Sequence, residues 1–279
     1  MSAVILDGRK LAERLRAELK VEAAQVTASR GRPARLTLVA AGEDPTALLY
    51  AEQVLRSCSR IGLECVLRRY PATIAETDLR VEVAALGARA DVDGVALLLP
   101  LPAHIEQRMV TEVLPPHKDV DGLGPRNAGY LMLGFPSFVP STADAALELL
   151  RFAGIELQGM NAVVVGRSNV GGKPAALLVL RENATVTMCH SRTPDLASIT
   201  RQADLLFTST GQPNCITAEM VKPGAVVLDA GMNAVDGRLV GDVDFASVRE
   251  VAGYLTPVPG GLGPLTNLML IRHTLVGPS

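Results

Sequence analysis

The stretch GRSNVGGKP, Gly166–Pro174, constrains the fold more than any other part of the chain. It follows an apolar run, Ala162–Val165, and opens a helix-like run, Pro174–Leu180. A strand, a glycine-rich turn and a helix in this order are typical of a dinucleotide phosphate site. The glycines let the backbone approach a pyrophosphate, and the free N–H groups at the helix start bind it. Because the Gly166–Gly172 spacing is not the usual G-x-G-x-x-G, a glycine-rich turn without a ligand is the alternative.

Composition narrows the class of protein. A chain of 279 residues suggests two domains. The formal net charge of −2 and the 3% content of aromatic residues argue against a nucleic-acid or membrane-surface partner. The spacing of the four cysteines suits neither zinc nor a disulfide framework, so we expect buried thiols and no metal site. Since the sequence also lacks a signal-peptide pattern, we expect a cytoplasmic protein.

Strand-like and helix-like runs alternate along the chain, which predicts an α/β protein with mostly parallel sheets. A proline-rich span between Pro100 and Pro140 reads as loops and an interdomain connection. We predict an N-terminal α/β substrate domain of residues 1–138 plus 265–279. A Rossmann-type dinucleotide-binding domain covers 139–264. The last helix, Leu265–Leu275, returns to the first domain.

The strand after the glycine turn ends in CHSRT, Cys189–Thr193, where a dinucleotide fold reads the adenosine ribose. An NAD site would offer Asp or Glu there, whereas this chain offers Ser191 and Arg192, with Arg167 in the turn. Since a guanidinium binds phosphate oxygens well, we predict NADP rather than NAD, a solvated surface arginine being the alternative for Arg192. The predicted cofactor-binding residues are Gly166, Arg167, Ser168, Val170, Gly172, Ser191, Arg192, Gly211, Met232 and Thr266.

Several motifs together resemble the methylenetetrahydrofolate dehydrogenase/cyclohydrolase family over nearly the whole chain. They are PVPGGLGPLT after Thr256, GRSNVGGKP, CHSRT, VGDVDF (Val240–Phe245), KDVDG (Lys118–Gly122) and LPLP (Leu99–Pro102). The resemblance implies a homodimer with a cleft between a folate domain and an NADP domain. It implies oxidation of 5,10-methylenetetrahydrofolate, followed in bifunctional members by hydrolysis to 10-formyltetrahydrofolate. The implied substrate-binding residues are Tyr50, Leu99, Pro100, Asp121, Pro259, Gly260, Gly261 and Pro264.

The chain departs from the family at its catalytic positions. The family has Tyr-x-x-x-Lys after the Asp-Pro turn, but here Tyr50 is followed by Val54. Leu98 replaces a family Gln, and a PCTP motif has become Pro140-Ser141-Thr142-Ala143. Asp121 matches the pterin-binding carboxylate. Of the predicted catalytic positions Tyr50, Val54, Leu98 and Asp121, two therefore lack the polar group that the resemblance implies.

Hydride transfer can be driven by the substrate's nitrogen lone pair, whereas hydrolysis calls for an acid or base group. We therefore predict an NADP-dependent dehydrogenase with weak or lost cyclohydrolase activity. Three alternatives stay open: redox chemistry on another cyclic amine or imine, a catalytically silent binding paralogue, and hydrolysis through Lys118 or His104. Tyr50 as an ordinary helix residue and Asp121 as a turn cap are the structural alternatives.

Overall fold

The structure, a computed structural model, describes residues 2–278. Helices and strands alternate along most of the chain. The strands are β1 Val4–Ile5, β2 Arg35–Ala41, β3 Glu64–Tyr70, β4 Gly94–Leu97, β5 Asn161–Val165, β6 Thr185–Cys189, β7 Leu205–Thr208, β8 Val226–Asp229, β9 Asn233–Val235, β10 Arg238–Val240 and β11 Tyr254–Leu255. The helices are α1 Gly8–Arg30, α2 Pro45–Ile61, α3 Glu76–Ala88, α4 Gln107–Glu112, α5 Pro125–Leu133, α6 Ser141–Phe152, α7 Gly172–Arg181, α8 Leu196–Thr200, α9 Phe245–Val248 and α10 Gly263–Val276.

The chain divides into two compact units. The six-stranded unit comprises Met1–Ala12 and Thr142–Thr266, and the three-stranded unit comprises Glu13–Ser141 and Asn267–Ser279. The C-terminal part of α10 thus groups with the three-stranded unit, as expected for a last helix that returns. The domain limits 1–138 with 265–279, and 139–264, stay a prediction.

The three-stranded unit has a parallel sheet in the order β3-β2-β4. Helix α2 begins at Pro45 because the Asp44 carboxylate accepts a hydrogen bond from the Ala47 N–H at 2.9 Å, and it ends at Gly62, whose φ of 96° suits glycine. Its buried residues recur at helical spacing: Ala47, Ala51, Val54, Cys58 and Ile61. Tyr50 therefore lies one turn before Val54 on α2.

The six-stranded unit has a parallel sheet in the order β1-β11-β8-β7-β5-β6. The chain passes from β5 to β6 on one side and then returns to β7 on the other side of β5. Such a reversal leaves a crevice beyond the carboxyl ends of the two strands, where α/β folds bind their ligands. The turn Gly166–Pro174 follows β5 directly.

The α/β class and the parallel sheets that the sequence predicts are confirmed by both units. The proline-rich span between Pro100 and Pro140 is not all loop, because it contains α4 and α5. Both helices are short, and Pro125 opens α5 at its first position, where proline is tolerated. The sequence patterns did not predict β1 and β11, two-residue strands that pair with each other in parallel.

Within residues 2–278, no helix combines the length and apolar character that crossing a membrane requires. The four cysteines are free thiols. Cys58 and Cys189 are buried, whereas Cys65 and Cys215 are half-buried. Cys58 lies on α2 and Cys65 on β3, in the helix and strand positions that the sequence predicts.

The cap of α2 gives a test of local stability. Asp44→Ala removes the acceptor for the Ala47 N–H, and we expect the free energy of unfolding to fall by about 1 kcal/mol in urea denaturation. Thr46→Ala, at an exposed position of the same turn, is the control and should change it little. Equal effects of the two substitutions would contradict the capping role.

Candidate functional site

The glycine turn after β5 brings backbone close to backbone. Gly166 has a φ of 124°, and a β-carbon at this residue would overlap the Ser209 carbonyl. A β-carbon on Gly172 would overlap the carbonyl of Gly166. Inside the turn, the Gly171 N–H donates to the Ser168 hydroxyl at 3.1 Å. The spacing of these glycines follows from this folding of the turn onto itself.

Helix α7 starts within the turn, at Gly172, so its first N–H groups point out of the helix end. This combination of a glycine cradle and a helix N-terminus fits a pyrophosphate. Around it, six predicted cofactor residues are exposed: Arg167, Ser168, Ser191, Arg192, Gly211 and Met232. Arg192 follows β6, on the side of β5 opposite β7. The arrangement is what a dinucleotide site requires at this end of the sheet.

The loop Thr256–Pro264 is held by backbone contacts of the same unit. The Gly261 N–H donates to the Pro257 carbonyl at 2.7 Å, and the Gly8 N–H donates to the Gly260 carbonyl at 3.0 Å. A β-carbon on Gly8 would overlap the Gly261 carbonyl. The Thr266 hydroxyl bonds the Gly263 carbonyl at 3.0 Å in the first turn of α10. The segment containing Pro259, Gly260, Gly261 and Pro264 is therefore tightly built.

In the three-stranded unit, Tyr50 and Asp121 are joined through Ser141. The Ser141 backbone N–H and hydroxyl both donate to Asp121 Oδ1, at 3.0 and 2.7 Å. The Ser141 side chain also interacts with Tyr50, and this interaction opposes the rise in the pKa of the tyrosine. Asp121 and Tyr50 are half-buried, and Ser141 is buried. One serine thus links the two polar residues that the sequence assigns to the catalytic site.

Burial governs the protonation of this cluster. It raises the pKa of Asp121, an effect that the two hydrogen bonds from Ser141 and the nearby His273 partly offset. Burial also raises the pKa of Tyr50, helped by the charge of Asp121 and opposed by the interaction with Ser141. Tyr50 therefore stays protonated and uncharged near neutral pH.

His273 on α10 is a second residue of this cluster that sequence patterns do not reveal. Its Nδ1 lies 2.7 Å from the carbonyl oxygen of Val120, the residue before Asp121. The ring packs against Phe138, with ring centroids 5.5 Å apart, and His273 is 3% exposed. The contact fixes the backbone beside Asp121, and the charge of a protonated His273 lowers the pKa of the carboxyl group.

The two departures from the family motif lie in the interior of this unit. Val54 is 0% exposed and Leu98 is 4% exposed. Leu98 follows β4, and its N–H donates to the Val39 carbonyl at 2.8 Å. Leu99 is half-buried and Pro100 is exposed. Positions 54 and 98 are therefore both apolar and shielded from water.

The two residues considered as replacements for the missing lysine have other partners. Lys118 donates to the Arg89 carbonyl, and a ring nitrogen of His104 lies 2.9 Å from the Ile74 carbonyl. Both bonds are to backbone at the surface of the unit. Ser141 and His273 were not among the predicted site residues. The altered PCTP motif was the available signal for Ser141, but His273 is separated in sequence from every motif.

A parallel sheet with a glycine cradle at its point of strand reversal defines the dinucleotide-binding class of α/β proteins. Two protein-family models identify the family within this class. Residues 6–121 match the catalytic domain of tetrahydrofolate dehydrogenase/cyclohydrolase, and residues 140–277 match its NAD(P)-binding domain. The chain belongs to the tetrahydrofolate dehydrogenase/cyclohydrolase family, which confirms the resemblance seen in its motifs.

Similar proteins match over almost the full length. The bifunctional protein FolD of Chloroflexus aurantiacus is 48% identical over 276 residues, which is 99% of this chain and 97% of the relative. The crystal structure of the bifunctional FolD of Campylobacter jejuni has a TM-score of 0.95 at 36% identity, with 99% and 98% of the chains covered. The Trypanosoma brucei enzyme, solved with NADP and an inhibitor, has a TM-score of 0.94 at 37% identity, with 99% and 97% covered. These relatives are enzymes, and the chain shares the fold of the two solved structures.

The Ser141 link can be tested by its effect on Asp121. In Ser141→Ala the carboxylate loses the hydroxyl donor but keeps the backbone N–H, so the pKa of Asp121 should rise further. Carbon NMR titration of the aspartate carboxyls, assigned with Asp121→Asn, measures it. Ser137→Ala is a matched control, because Ser137 is buried and its hydroxyl has no partner among residues 2–278. An unchanged pKa in Ser141→Ala would contradict the link.

Proposed function

We propose that this protein oxidises 5,10-methylenetetrahydrofolate to 5,10-methenyltetrahydrofolate with NADP, and that its cyclohydrolase activity is weak or lost. The observation that carries the proposal is that the chain has both an intact nucleotide cradle and apolar residues at positions 54 and 98. Family membership supports the substrate class. The NADP-bound structure of the Trypanosoma brucei enzyme supports the cofactor.

The oxidation needs alignment more than acid–base chemistry. When bound, NADP accepts a hydride from the methylene carbon, whose two nitrogen neighbours stabilise the resulting cation. No proton is released in this step, so no protein base is obligatory. The residues proposed to hold the cofactor are the ten named from the sequence, with Gly166 and Gly172 as the cradle and the α7 N-terminus facing the pyrophosphate.

In this proposal, Tyr50 and Asp121 bind and orient the folate substrate. Both Ser141 donors bond Asp121 Oδ1, and we assign Oδ2 to the pterin N–H groups. The neutral Tyr50 hydroxyl, held by Ser141, orients the substrate. Leu99, Pro100, Pro259, Gly260, Gly261 and Pro264 supply apolar and backbone contacts in this proposal. A cation product is favoured when no lysine charge stands beside it.

Hydrolysis requires different groups in the site from those that the oxidation requires. Water must attack the methenyl carbon and lose a proton, and a positioned acid or base contributes about 10²–10⁴-fold to such a step. Val54 and Leu98 have no ionisable or hydrogen-bonding side-chain atom. Both are buried, so water cannot replace the missing groups there at low cost. The loss should therefore fall on hydrolysis and spare the oxidation.

The two reactions can be separated in one purified sample. We expect NADPH formation with methylenetetrahydrofolate, but decay of added methenyltetrahydrofolate no faster than the uncatalysed background. Val54→Lys with Leu98→Gln should gain hydrolysis, because it restores a base and its partner. Val54→Met with Leu98→Met is the control of similar size without polar groups. Thermal unfolding is followed in parallel, since position 54 is fully buried. Rapid hydrolysis by the unaltered protein would refute the proposal.

The preference for NADP depends on Arg192. Arg192→Ala should weaken NADP binding about 10-fold, because it removes charge-assisted bonds to the 2′-phosphate, and should leave NAD binding unchanged. Titration calorimetry with both nucleotides measures the difference. Arg181→Ala, an exposed arginine at the other end of α7, is the control. Equal losses for NADP and NAD would show that Arg192 does not read the phosphate.

One alternative is favoured by a specific observation. Two apolar residues in place of Lys and Gln suit an uncharged ring, so a different cyclic amine or imine is the second candidate substrate. Failure to bind any folate, with NADP-linked turnover of another imine, would select it. Nucleotide binding without any turnover would select a silent binding paralogue. We also propose a cytoplasmic homodimer, on the family resemblance, and sedimentation equilibrium tests the dimer.

A further inference from the structure

Two of the buried carboxylates outside the Tyr50–Ser141–Asp121 cluster, Asp229 and Asp242, have no part in the function proposed above. Asp229 ends β8 and is 3% exposed, and Asp242, in the VGDVDF motif, is 0% exposed. Both belong to the six-stranded unit. Burying a carboxylate is costly unless hydrogen bonds compensate it. Their partners therefore indicate what they hold in place.

Asp242 gathers donors from two different loops. Its Oδ2 accepts from the Thr208 hydroxyl at 2.9 Å and from the Thr210 N–H at 2.5 Å. Its Oδ1 accepts from the Asn233 side-chain amide at 3.0 Å. Thr208 and Thr210 lie at the carboxyl end of β7, and Asn233 begins β9 beyond β8. One carboxylate thus ties together the loops that follow β7 and β8.

Asp229 holds Asp242 in turn. Its Oδ1 accepts from the N–H groups of Gly231 and Asp242, at 2.8 and 3.0 Å, and its Oδ2 accepts from Val243 at 3.0 Å. Its own N–H donates to the buried Thr256 hydroxyl at 2.7 Å, at the start of the Thr256–Pro264 loop. The two carboxylates therefore connect three of the glycine-rich segments at this edge of the sheet.

Two glycines show how closely the carboxylates fit. A β-carbon on Gly231 would overlap the Asp242 carboxylate, and one on Gly241 would overlap that of Asp229. Each aspartate occupies the space of a missing side chain in the segment that contains the other. The fit leaves little freedom for either carboxylate to move.

The consequence reaches the phosphate cradle through Ser209, which Asp242 brackets by bonding Thr208 and Thr210. The Ser209 N–H donates to the Val165 carbonyl at 2.8 Å, at the end of β5. The Ser209 carbonyl fills the place of a β-carbon on Gly166. A β-carbon on Gly171 would come within 2.5 Å of the Ser209 hydroxyl oxygen. Fixing Ser209 therefore fixes the wall of the turn.

We propose that Asp242 is a positioning residue for the cofactor: it fixes the Ser209 loop against the phosphate turn, and Asp229 locks Asp242 in that place. The inference rests on the proposed function for the identity of the ligand, NADP. Asp242 lies behind the loops and acts through Thr208, Thr210 and Asn233. Its removal should weaken nucleotide binding while leaving the folate KM unchanged.

Asp242→Asn tests this with little change in shape. The amide nitrogen cannot accept a hydrogen bond, so at least one buried donor loses its partner. We expect the Kd for NADP, measured by calorimetry, to rise about 10- to 100-fold. Asp244→Asn, two residues on in the same motif, is the matched control, because its side chain makes no capping bond to α9. Thr208→Val is the second variant, for use if Asp242→Asn folds poorly. It removes a single hydroxyl donor, so the Kd for NADP should rise, but by less than in Asp242→Asn.

Hydrogen exchange of the ligand-free protein keeps this proposal separate from the function. In Asp242→Asn, the amides of residues 166–172 and 208–211 should exchange faster than in the unaltered protein and in Asp244→Asn. Unchanged exchange, or an unchanged Kd for NADP in a folded Asp242→Asn, would overturn the positioning role. If the unaltered protein binds no NADP, the proposed cofactor is wrong, whereas faster exchange would still support the loop-fixing role of Asp242.

Discussion

The contact of the Ser209 carbonyl with Gly166 is the constraint on which the nucleotide half of the molecule depends. It requires that the turns after β5 and β7 meet with no side chain between them. Backbone at that spacing leaves N–H groups pointing outward, where they can donate hydrogen bonds to an anion. A methyl group at Gly166 would separate the two turns, and one at Gly172 would push the start of α7 away from the end of β5. The glycines of GRSNVGGKP therefore act through steric fit as much as through flexibility.

The folate half depends on hydroxyl groups instead. Ser141 connects a protonated tyrosine to a carboxylate whose pKa burial has raised, and His273 supports the backbone beside it. Such a cluster offers hydrogen-bonding groups to a ligand, and Val54 and Leu98 carry no charge. In the function proposed above, this electrostatic setting favours a cationic product and activates water poorly. The chemistry proposed for the protein follows from that setting.

Sequence patterns predicted the elements whose signals are local. Asp44-Pro45 and Gly62 marked both ends of α2, and the apolar runs gave β5 and β7. They did not predict α4 and α5, because the prolines of this span suggested loops, although Pro125 is the first residue of α5. For the site, motifs named Tyr50 and Asp121 but not their link, since Ser141 and His273 act through tertiary contacts. The roles of the named site residues stay predictions, because side-chain identity alone does not show what a residue binds.

The strand β1 has a consequence for how the molecule folds. Val4–Ile5 completes the edge of a sheet by pairing with Tyr254–Leu255, a segment far away in the sequence. This sheet edge therefore forms only when residues far apart in sequence have met, an arrangement of high contact order that slows folding. A fragment cut at 139–264 would keep the cradle but leave the β11 edge unpaired, and unpaired edges invite association between chains. The compact six-stranded unit thus depends on a segment that is far from the rest of the unit in sequence.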